Sequence, residues 1–517
     1  MKSRIILALL CAVGMGLSAC DAFLDVNRNP NFPEDASPSA KLPSIIANGL
    51  QQQLALSVLV SGHFTQQFAG RAANNGNDQF FLSPPANPFN DTYFRAASNI
   101  PPMIERATRE QAWYYVGAGK VLMAALLFHL TDLHGNIPYS DAFRGAQNFQ
   151  PIYDSQETIY ATMDKLLDEA IVEFGKTQPP SAPAFNATAD ILYGGNAQRW
   201  ILFANGLKAR QYNHLTKKAN YNPQRVLEAL GNAVNDNAQD AQVAFSAAQA
   251  GHTNIWAYQR ANANARTFGR YFINMLNGTT LGFRDPRFVI IAPDTNRAKG
   301  FVNGAGAPTN PALAGVNALG ASDFYGRYNI TTTATATLAA PAANTAPAIE
   351  GWYARTLGVQ LILTNAEMRF IEAEAAFRAN NRDRAFTAFK AGITAHMSKL
   401  GVAAASRDAY LASVAVPQTA TALTLAHIMQ QKYIALFLHH ETWVDMRRMD
   451  YSTTIYPNFT PPIDPNTQLM GAYPRRFLPG SAEVLYNRKN AYLELDPAGV
   501  PVSDATWITT PMWWDKP

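Results

Sequence analysis

Apolar residues recur every three or four positions over most of this chain, which is the spacing of one face of an α-helix. The clearest example runs from Asp154 to Phe174, where Asp154 and Glu157 have the spacing of a capping box. The apolar residues on its predicted inner face are Ile159, Met163, Leu166, Leu167, Ala170, Ile171 and Phe174. This pattern predicts an amphipathic helix here. Because it is repeated along the chain, it also predicts a mainly α-helical fold.

A second segment, from Trp113 to Leu133, is apolar on nearly every side and stops at Gly135. A helix without a polar face must be surrounded by protein, so we expect this one at the centre of the fold. The other predicted helices cover residues 196–215, a segment starting at 222, and residues 265–276, 361–379, 382–400 and 423–439. The tryptophans assigned to the core are Trp113, Trp200 and Trp443, and Trp513 and Trp514 are also expected to be structural.

Residues 361–379 and 382–400 form a predicted helical hairpin, joined by Asn380 and Asn381. The small and aromatic residues at its seam are Ala373, Ala376, Phe377, Ala385, Phe386 and Phe389. Such pairs are the unit of tetratricopeptide-like folds, although no strict repeat of about 34 residues aligns here. An irregular helical bundle would bury the same faces, and this alternative stays open.

Between residues 238 and 358 the helical pattern gives way to short aromatic clusters among Gly, Asn, Thr and Ala. This composition is typical of loops. The chain therefore predicts tetratricopeptide-like helix pairs together with a large loop-rich insert at about residues 238–358.

The N-terminus has the features of a secretion signal. Lys2 and Arg4 precede an uncharged stretch from Ile5 to Leu17, which is too short to span a bilayer but suits the apolar part of a signal peptide. The sequence Leu-Ser-Ala-Cys ends at Cys20 and resembles the lipobox of bacterial lipoproteins, in which the cysteine is acylated and becomes the new N-terminus. The alternative is an ordinary signal peptide in which the cysteine is incidental.

Cysteine use favours the lipoprotein interpretation. The chain has 2 cysteines, and the other one, Cys11, lies inside the predicted signal. The mature chain then has no disulfide and must rely on its core for stability. No later segment has about eighteen consecutive apolar residues, the length of a membrane span, so the lipid on Cys20 is the expected anchor. We expect a signal peptide at residues 1–19, a lipidated N-terminus and tether at 20–41, and one helical domain at 42–517.

The charge balance gives no sign of a nucleic-acid partner. Lys and Arg number 42 and Asp and Glu number 38, for a formal net charge of +4. No basic run of the kind that follows a phosphate backbone occurs in the sequence. We therefore expect no binding of nucleic acid.

No phosphate site or nucleophile is indicated either. Residues 117–120 (GAGK) resemble the end of a phosphate-binding loop, but Tyr114 stands in place of its first glycine and Val121 in place of the Ser or Thr that holds magnesium. Close helix packing explains these glycines better. No GxSxG elbow occurs, and an acylated Cys20 cannot act as a nucleophile.

Metal-ligand spacing is also missing. His439 and His440 are adjacent, and neighbouring residues on a helix point about 100° apart. Neither they nor Glu441 form an HExxH motif, and His129 and His134 do not share one helical face. We predict that the protein is not an enzyme and holds no metal and no cofactor.

Several stretches resemble the SusD/RagB family of outer-membrane nutrient-binding lipoproteins of Bacteroidota. They are Leu130–Phe143 (LTDLHGNIPYSDAF), Pro151–Ala170, Arg199–Arg210, Asp285–Arg287, Ala366–Arg378, Gln431–Asp450 and Pro474–Asn487. These stretches lie in the family's order and are spread over nearly the whole mature chain.

The resemblance implies four tetratricopeptide-like helix pairs on one side of the molecule and irregular ligand-binding loops on the other. It implies a lipoprotein in the outer membrane, facing the cell exterior. Such a protein captures oligosaccharides, or peptides in some relatives, and delivers them to a SusC-like TonB-dependent outer-membrane transporter.

A sugar-binding site needs flat aromatic rings for stacking and Asn, Asp or Arg for hydrogen bonds to hydroxyl groups. Residues 74–93 and the loop-rich insert contain both kinds of residue. The candidate ligand-binding residues are Asn77, Asp78, Phe80, Phe81, Trp256, Tyr258, Tyr325, Tyr328 and Trp352. Each aromatic could instead be a plug buried between a loop and a helix. As a set, we expect them to include the stacking platform.

Three functions remain open at this point. The first is a transporter-coupled binder of glycans or, alternatively, of peptides. The second is a surface glycan-processing enzyme, which would need paired acids in a cleft. The third is a tetratricopeptide scaffold that binds only protein, which would show a polar concave helical face without an aromatic loop site.

Overall fold

The computed structural model describes residues 36–70, 72–82, 88–246, 254–258, 266–293, 300–306, 326–327, 349–495 and 502–517. Most of these residues are helical, so the prediction of a mainly α-helical fold is confirmed. The α-helices, numbered along the chain, are α1 Pro38–Ile45, α2 Leu54–Phe64, α3 Phe89–Asp91, α4 Ile100–Arg109, α5 Trp113–His134, α6 Gln156–Phe174, α7 Ala197–His214, α8 Pro223–Leu230, α9 Ile255–Tyr258, α10 Arg270–Leu276, α11 Phe288–Ile291, α12 Asn365–Arg378, α13 Arg382–Leu400, α14 Ala404–Leu411, α15 Leu425–Ala435, α16 Glu441–Arg448, α17 Ser481–Tyr486, α18 Arg488–Ala491 and α19 Asp504–Thr509.

The strands are short and pair in twos, all antiparallel: β1 with β3, β2 with β6 and β4 with β5. They are β1 Phe68–Gly70, β2 Ala241–Ala244, β3 Arg266–Phe268, β4 Gly326–Arg327, β5 Ile349–Glu350 and β6 Val359–Leu363. Two π-helical segments, Ile46–Gln53 and Thr92–Ala96, follow α1 and α3. The 3₁₀ turns are Ala97–Asn99, Gly145–Gln147, Leu215–Lys217, Asn237–Gln239, Trp352–Ala354, Thr467–Leu469 and Trp513–Asp515.

Helix α5 lies at the centre of the fold, as its apolar sequence predicts. It is long and apolar enough to cross a membrane, but 94% of its apolar window is buried inside the protein. A Cβ atom on Gly117 would lie 2.9 Å from the ring of Phe174, and one on Gly119 would lie 2.7 Å from Ile104. These glycines therefore serve close helix packing and not phosphate binding. Gly135 ends the helix at a φ of 88°, which favours glycine.

Helices that are close in sequence pack against one another: α4 on α5, α5 on α6, α6 on α7, α7 on α8, and α12 on α13. Helix α12 also contacts α7, α8 and α15 and so joins the two halves of the helical array. Four of the six predicted seam residues of the α12–α13 hairpin are buried, namely Ala373, Ala376, Ala385 and Phe389, whereas Phe377 and Phe386 are only partly buried. A single cluster of buried side chains extends from Leu42 to Trp514.

The start of α6 differs from the prediction by one residue. Ser155 caps the helix by accepting a hydrogen bond from the backbone of Thr158, so Asp154 is not the cap. The Asp154 carboxylate instead accepts hydrogen bonds from the backbone N–H groups of Tyr139 and Ser140. It fixes the loop that follows α5, a contact that local spacing cannot reveal.

The helix predicted at residues 361–379 begins later, because residues 361–363 belong to strand β6. Pairing with β2 outweighs the local helical spacing, because a short apolar run suits either structure. Thr364 then caps α12 by accepting a hydrogen bond from the backbone of Glu367. Helix α15 ends at Ala435, four residues before the predicted end, and α10 starts at Arg270, after strand β3.

Trp200, Trp443 and Trp514 are fully buried, as expected of core residues. Trp113 is partly buried and packs against the core cluster, so it lies at the edge of the core to which it was assigned. It is the first residue of α5, where one face of the helix reaches solvent, and Lys176 Nζ lies 4.4 Å from its ring centre.

Candidate functional site

The loop at residues 72–82 is organised by the buried carboxylate of Asp78. Its Oδ1 lies 2.6 Å from His63 Nδ1 and accepts a hydrogen bond of 2.7 Å from Asn303. Its Oδ2 accepts hydrogen bonds from the backbone N–H groups of Gly70 and Gly304, at 2.8 Å and 3.0 Å. All these donors are protein groups, so in this structure Asp78 shapes the loop and does not face a ligand.

Phe80 and Phe81 are adjacent, but the ring of Phe80 is buried and the ring of Phe81 is exposed. Phe80 has a φ of 66° and is 3% exposed, with its ring 5.8 Å from those of Phe64 and Tyr473. It is a plug beneath the loop and offers no free face to a sugar. Phe81 is 54% exposed, and its backbone N–H donates to Gly76 at 2.8 Å. Phe81 is therefore a solvent-facing ring held on an ordered backbone.

Asn77 also belongs to the ordered part of this loop. Its side chain is half-buried, and its backbone N–H donates to Asn75 Oδ1 at 3.1 Å. The side chain of Gln79 donates to the backbone oxygen of Ile463, which ties the loop to the segment that follows α16.

The aromatic residues of the insert occupy unlike environments. Trp256 is 3% exposed and packs on Phe68, with ring centres 5.8 Å apart, so it too is a core plug. Trp352 is half-buried, with the Arg355 guanidinium 4.6 Å from its ring centre. Only the backbone of Tyr258 is described, at the end of α9. Tyr325 and Tyr328 lie outside the described residues.

Strand β1 brings the two predicted regions to one side of the molecule. It precedes the 72–82 loop and pairs with β3, and the ring of Phe68 contacts Trp256 from the insert. The backbone oxygen of Phe68 also accepts a hydrogen bond of 2.8 Å from Asn303, the residue that holds Asp78.

Beside this loop lies a small polar pocket of about 120 Å³ that the sequence interpretation missed. The residues lining it are Gln66, Arg270, Tyr271, Asn274, Thr280, Phe301, Val302, Asn303, Asn458, Thr460, Pro461 and Pro462. It contains amide, guanidinium and hydroxyl groups that can serve both as donors and as acceptors for a ligand's hydroxyl groups. Its residues come from distant parts of the chain, so no local motif could have indicated it.

Tyr271 is the pocket residue with an unsatisfied polar group. It is 5% exposed, and its hydroxyl has no hydrogen-bond partner among the described residues. Burial raises the pKa of Tyr271, which keeps the hydroxyl protonated. A buried hydroxyl without a partner costs about 1 to 3 kcal/mol, so a ligand or water that bonds to it is favoured.

Several of the stretches that carry the family resemblance contain charged residues that form ion pairs between helices. Arg210 in α7 binds Glu367 in α12 through two hydrogen bonds of 2.7 Å. Arg448 in α16 lies 2.8 Å from Glu374 in α12. Burial by itself would raise the pKa of Glu374, but Arg448 and Arg378 hold it well below its usual value. These charged residues join helices and do not line the pocket.

A buried cluster of Asp132, His214 and Glu441 places possible metal-binding atoms within 4.8 Å of one another. His214 Nε2 lies 2.8 Å from Glu441, and Nδ1 lies 3.5 Å from Asp132. Burial would lower the pKa of His214, but the two carboxylates raise it to about 9. Because each ring nitrogen already faces an acid, the arrangement is that of a charged histidine between two carboxylates.

His439 and His440 do not diverge as they would on a helix. They precede α16, and their rings stack with centres 4.8 Å apart. His439 Nε2 lies 2.9 Å from the backbone oxygen of Ile362. Both histidines are buried, and His440 also contacts His129, with ring centres 4.7 Å apart.

Residues 30–478 match the model of a SusD-like family described as starch-binding and associating with the outer membrane. The chain belongs to this family. The resemblance predicted from the sequence is therefore confirmed over most of its length. No curated protein is similar enough to match this chain.

Solved structures show the same fold. A chitin-binding protein is 21% identical, with a TM-score of 0.65, and the match covers 93% of this chain and 100% of that one. A SusD homologue from Bacteroides fragilis is 20% identical, with a TM-score of 0.64 and coverage of 93% and 99%. A SusD homologue from Bacteroides uniformis is 18% identical, with a TM-score of 0.68 and coverage of 94% and 100%. At these identities the likeness establishes the SusD-like fold of the chain.

Proposed function

We propose that this SusD-like protein is a lipid-anchored receptor on the outer membrane, facing the cell exterior, that captures oligosaccharides and passes them to a TonB-dependent transporter. Cys20 carries the lipid in this account. The family description supports carbohydrate binding and association with the outer membrane. The protein acts by binding, without catalysis and without a metal or cofactor.

The observation that carries the proposal is that two complementary features are linked by one residue. Phe81 offers an exposed ring for the apolar face of a sugar. The neighbouring pocket offers amide and guanidinium groups and the hydroxyl of Tyr271, which has no partner among the described residues. Asn303 connects the two, since it lines the pocket and also bonds to Asp78 in the loop. Asn77 lies in the same loop and Trp352 at the edge of the insert, and we keep both as secondary candidates.

Calorimetric titration with oligosaccharides derived from starch and from chitin tests this function. These two classes are chosen because the family description names starch and a structural neighbour is a chitin-binding protein. We expect at least one class to bind the mature protein. If neither binds, while a panel of peptides does, oligosaccharide capture is the wrong function.

Substituting Phe81→Ala should weaken binding about fivefold, because an aromatic stacking contact contributes roughly 1 kcal/mol. Val414→Ala is the matched control, since Val414 is 82% exposed and is not among the residues of the loop or the pocket. Equal affinities of the two variants would exclude Phe81 as the stacking ring.

A further inference from the structure

The polar pocket beside the 72–82 loop has a cation in its wall and no acid. Among the described residues that line it, Arg270 is the one with a charge, and none is an aspartate or a glutamate. The other polar groups in the lining are neutral amides and hydroxyls. Neutral groups of this kind are enough to bind the hydroxyls of a neutral sugar. The guanidinium adds a preference for a ligand with negative charge, because hydrogen bonds between ionised groups are stronger than neutral ones.

The guanidinium of Arg270 is available to such a ligand. The Arg270 side chain is exposed, and its Nε donates a hydrogen bond of 3.4 Å to the backbone oxygen of Gly300. Its two terminal nitrogens have no hydrogen-bond or ion-pair partner among the described residues. A planar carboxylate can accept two parallel hydrogen bonds from a guanidinium.

The backbone beneath Arg270 is held in place. Its N–H donates to the backbone oxygen of Phe301 at 2.8 Å. Gly300 has a φ of 69°, and a Cβ atom on it would lie 2.5 Å from the Cα atom of Arg270, so the two segments can pack this closely only with glycine there. The side chain of Arg270 therefore extends from a fixed base, which reduces the freedom that is lost when a ligand binds.

Helix α10 brings three polar side chains to the pocket, those of Arg270, Tyr271 and Asn274. Arg270 and Asn274 are four residues apart and Tyr271 and Asn274 are three apart, so these side chains are neighbours on the helix surface. The Tyr271 hydroxyl is buried and has no partner among the described residues. One helix thus offers a cation for an anionic group next to a hydroxyl and an amide for sugar hydroxyls.

The acidic residues near the pocket keep their charges, but none of those described pairs with Arg270. Asp78 is fully buried, and both of its oxygens accept hydrogen bonds from other protein groups. Asp285 is buried and binds the guanidinium of Arg287. Asp464 is exposed but is not among the lining residues. A carboxylate on a ligand therefore does not compete with an acid of the pocket wall for Arg270.

We propose that the oligosaccharides selected by this pocket carry a carboxylate, as uronic acids do, and that Arg270 binds this carboxylate. The inference rests on oligosaccharide capture, the function proposed above, and adds the chemical class of the ligand. In this arrangement the amides of the pocket and the Tyr271 hydroxyl bind sugar hydroxyls, and Phe81 stacks with a ring of the same oligosaccharide.

Calorimetric titration of the mature protein with matched pairs of oligosaccharides tests the inference. In two pairs, one member is a neutral oligosaccharide from starch or from chitin, and the other is the same oligosaccharide with its C6 hydroxymethyl groups oxidised to carboxylates. The third pair is an oligogalacturonate and the same chain with its carboxylates reduced to primary alcohols. The members of a pair differ only in these groups, so the ratio of their affinities measures the preference for the carboxylate.

We expect wild type to bind the carboxylated member of at least one pair about fivefold more tightly than the neutral member, because an exposed ion pair contributes up to roughly 1 kcal/mol. In Arg270→Gln this ratio should fall to about one, while the affinity for the neutral member stays that of wild type. Arg270→Lys keeps the charge but lacks the planar fork, so its ratio should be intermediate. A ratio that Arg270→Gln leaves unchanged would overturn the inference.

The matched control is Arg284→Gln. Arg284 is exposed and follows Thr280 of the pocket wall by four residues, but it is not among the lining residues. We expect this variant to keep the wild-type ratio, and all three variants to keep the wild-type melting temperature because the substituted side chains are exposed. An equal loss of preference in Arg270→Gln and Arg284→Gln would point to the general positive charge of the region and overturn a direct contact with Arg270.

Two further outcomes separate this inference from the proposed function. If the two members of every pair bind equally well, or the neutral member binds more tightly, the acidic ligand class is wrong and oligosaccharide capture stands. If no member of any pair binds, oligosaccharide capture fails, and this inference fails with it.

Discussion

The hydroxyl of Tyr271 is the single group on which the proposed ligand binding in the polar pocket most depends. Its hydroxyl is buried at the edge of a polar pocket without a partner among the described residues. An unpaired buried hydroxyl destabilises the free protein and strengthens any ligand that supplies a partner. We therefore expect the Tyr271 hydroxyl to lower the stability of the free protein and to favour binding of a ligand that hydrogen-bonds to it.

Replacing Tyr271 by Phe tests this interpretation. We expect the variant to melt at or slightly above the wild-type temperature, because no hydrogen bond within the described protein is lost. Oligosaccharide affinity should fall about fivefold, the effect of losing one hydrogen bond of about 1 kcal/mol. Calorimetry and thermal denaturation measure both quantities. A lower melting temperature with unchanged affinity would mean that the hydroxyl is structural.

His214 makes stability depend on pH. Its folded-state pKa is raised to about 9 by Glu441 and Asp132, against burial, whereas an unfolded histidine titrates near 6.5. A raised pKa stabilises the fold fully below about pH 6.5, and the contribution is lost as the pH rises through about 9. The full effect is on the order of 3 kcal/mol.

Denaturant unfolding between pH 6.5 and 9.5 measures this effect. We expect the free energy of unfolding to fall across that range in wild type and to stay nearly level in His214→Gln, whose side chain does not titrate. The same decline in both proteins would show that another group causes it.

Phe80 and Phe81 show that the exposure of a single loop side chain could not be predicted from the sequence. Both are aromatic residues in a loop rich in Asn, so the sequence gives no reason to expect one to be more exposed than the other. The left-handed backbone at Phe80 turns that ring into the core and leaves Phe81 exposed. Such a backbone angle is set by the contacts of the whole loop, so the sequence alone could not separate the plug from the surface ring.

At the scale of elements, the 72–82 loop depends on one carboxylate. Asp78 accepts hydrogen bonds from two side chains and two backbone groups that come from α2, β1 and the segment around residue 303. Removing it would leave several buried donors unpaired. Asp78→Ala should destabilise the protein by more than about 3 kcal/mol, because each unpaired buried donor costs about 1 to 3 kcal/mol.

The variant should also lose oligosaccharide binding, since the backbone that presents Phe81 would no longer be held. Comparison with Phe81→Ala separates the two roles, as that variant should weaken binding at wild-type stability. Denaturant unfolding and calorimetry of both variants provide the measurement. Wild-type stability of Asp78→Ala would contradict the structural role given to the carboxylate.

Helix packing was predicted well where the spacing of small and apolar residues decides it. The α12–α13 seam and the packed glycines of α5 follow directly from residue spacing. Strand β6 and the hydrogen bonds of Asp154 were not predicted, because each depends on a partner that lies outside the local segment. The polar pocket was missed for the same reason, since Tyr271 and Asn458 are brought together only by the fold.

For the whole molecule, we propose a membrane anchor at the N-terminus followed by a helical receptor domain. We propose that residues 42–517 form one domain, in keeping with a single cluster of buried side chains from Leu42 to Trp514.

Substituting Cys20→Ala should release the protein from the membrane fraction, because acyl chains contribute roughly 0.8 kcal/mol per buried methylene and no other anchor is predicted. Fractionation of cells that express each form measures this. The intact mass of the wild-type protein should include the acyl groups, and a mass without them would refute lipidation at Cys20.

A crystal structure of the mature protein with an oligosaccharide from the titrated panel tests the central claim most directly. We predict a sugar ring stacked on Phe81 and a sugar hydroxyl within hydrogen-bond distance of the Tyr271 hydroxyl. An oligosaccharide bound away from both residues, with the Tyr271 pocket holding only water, would contradict the account.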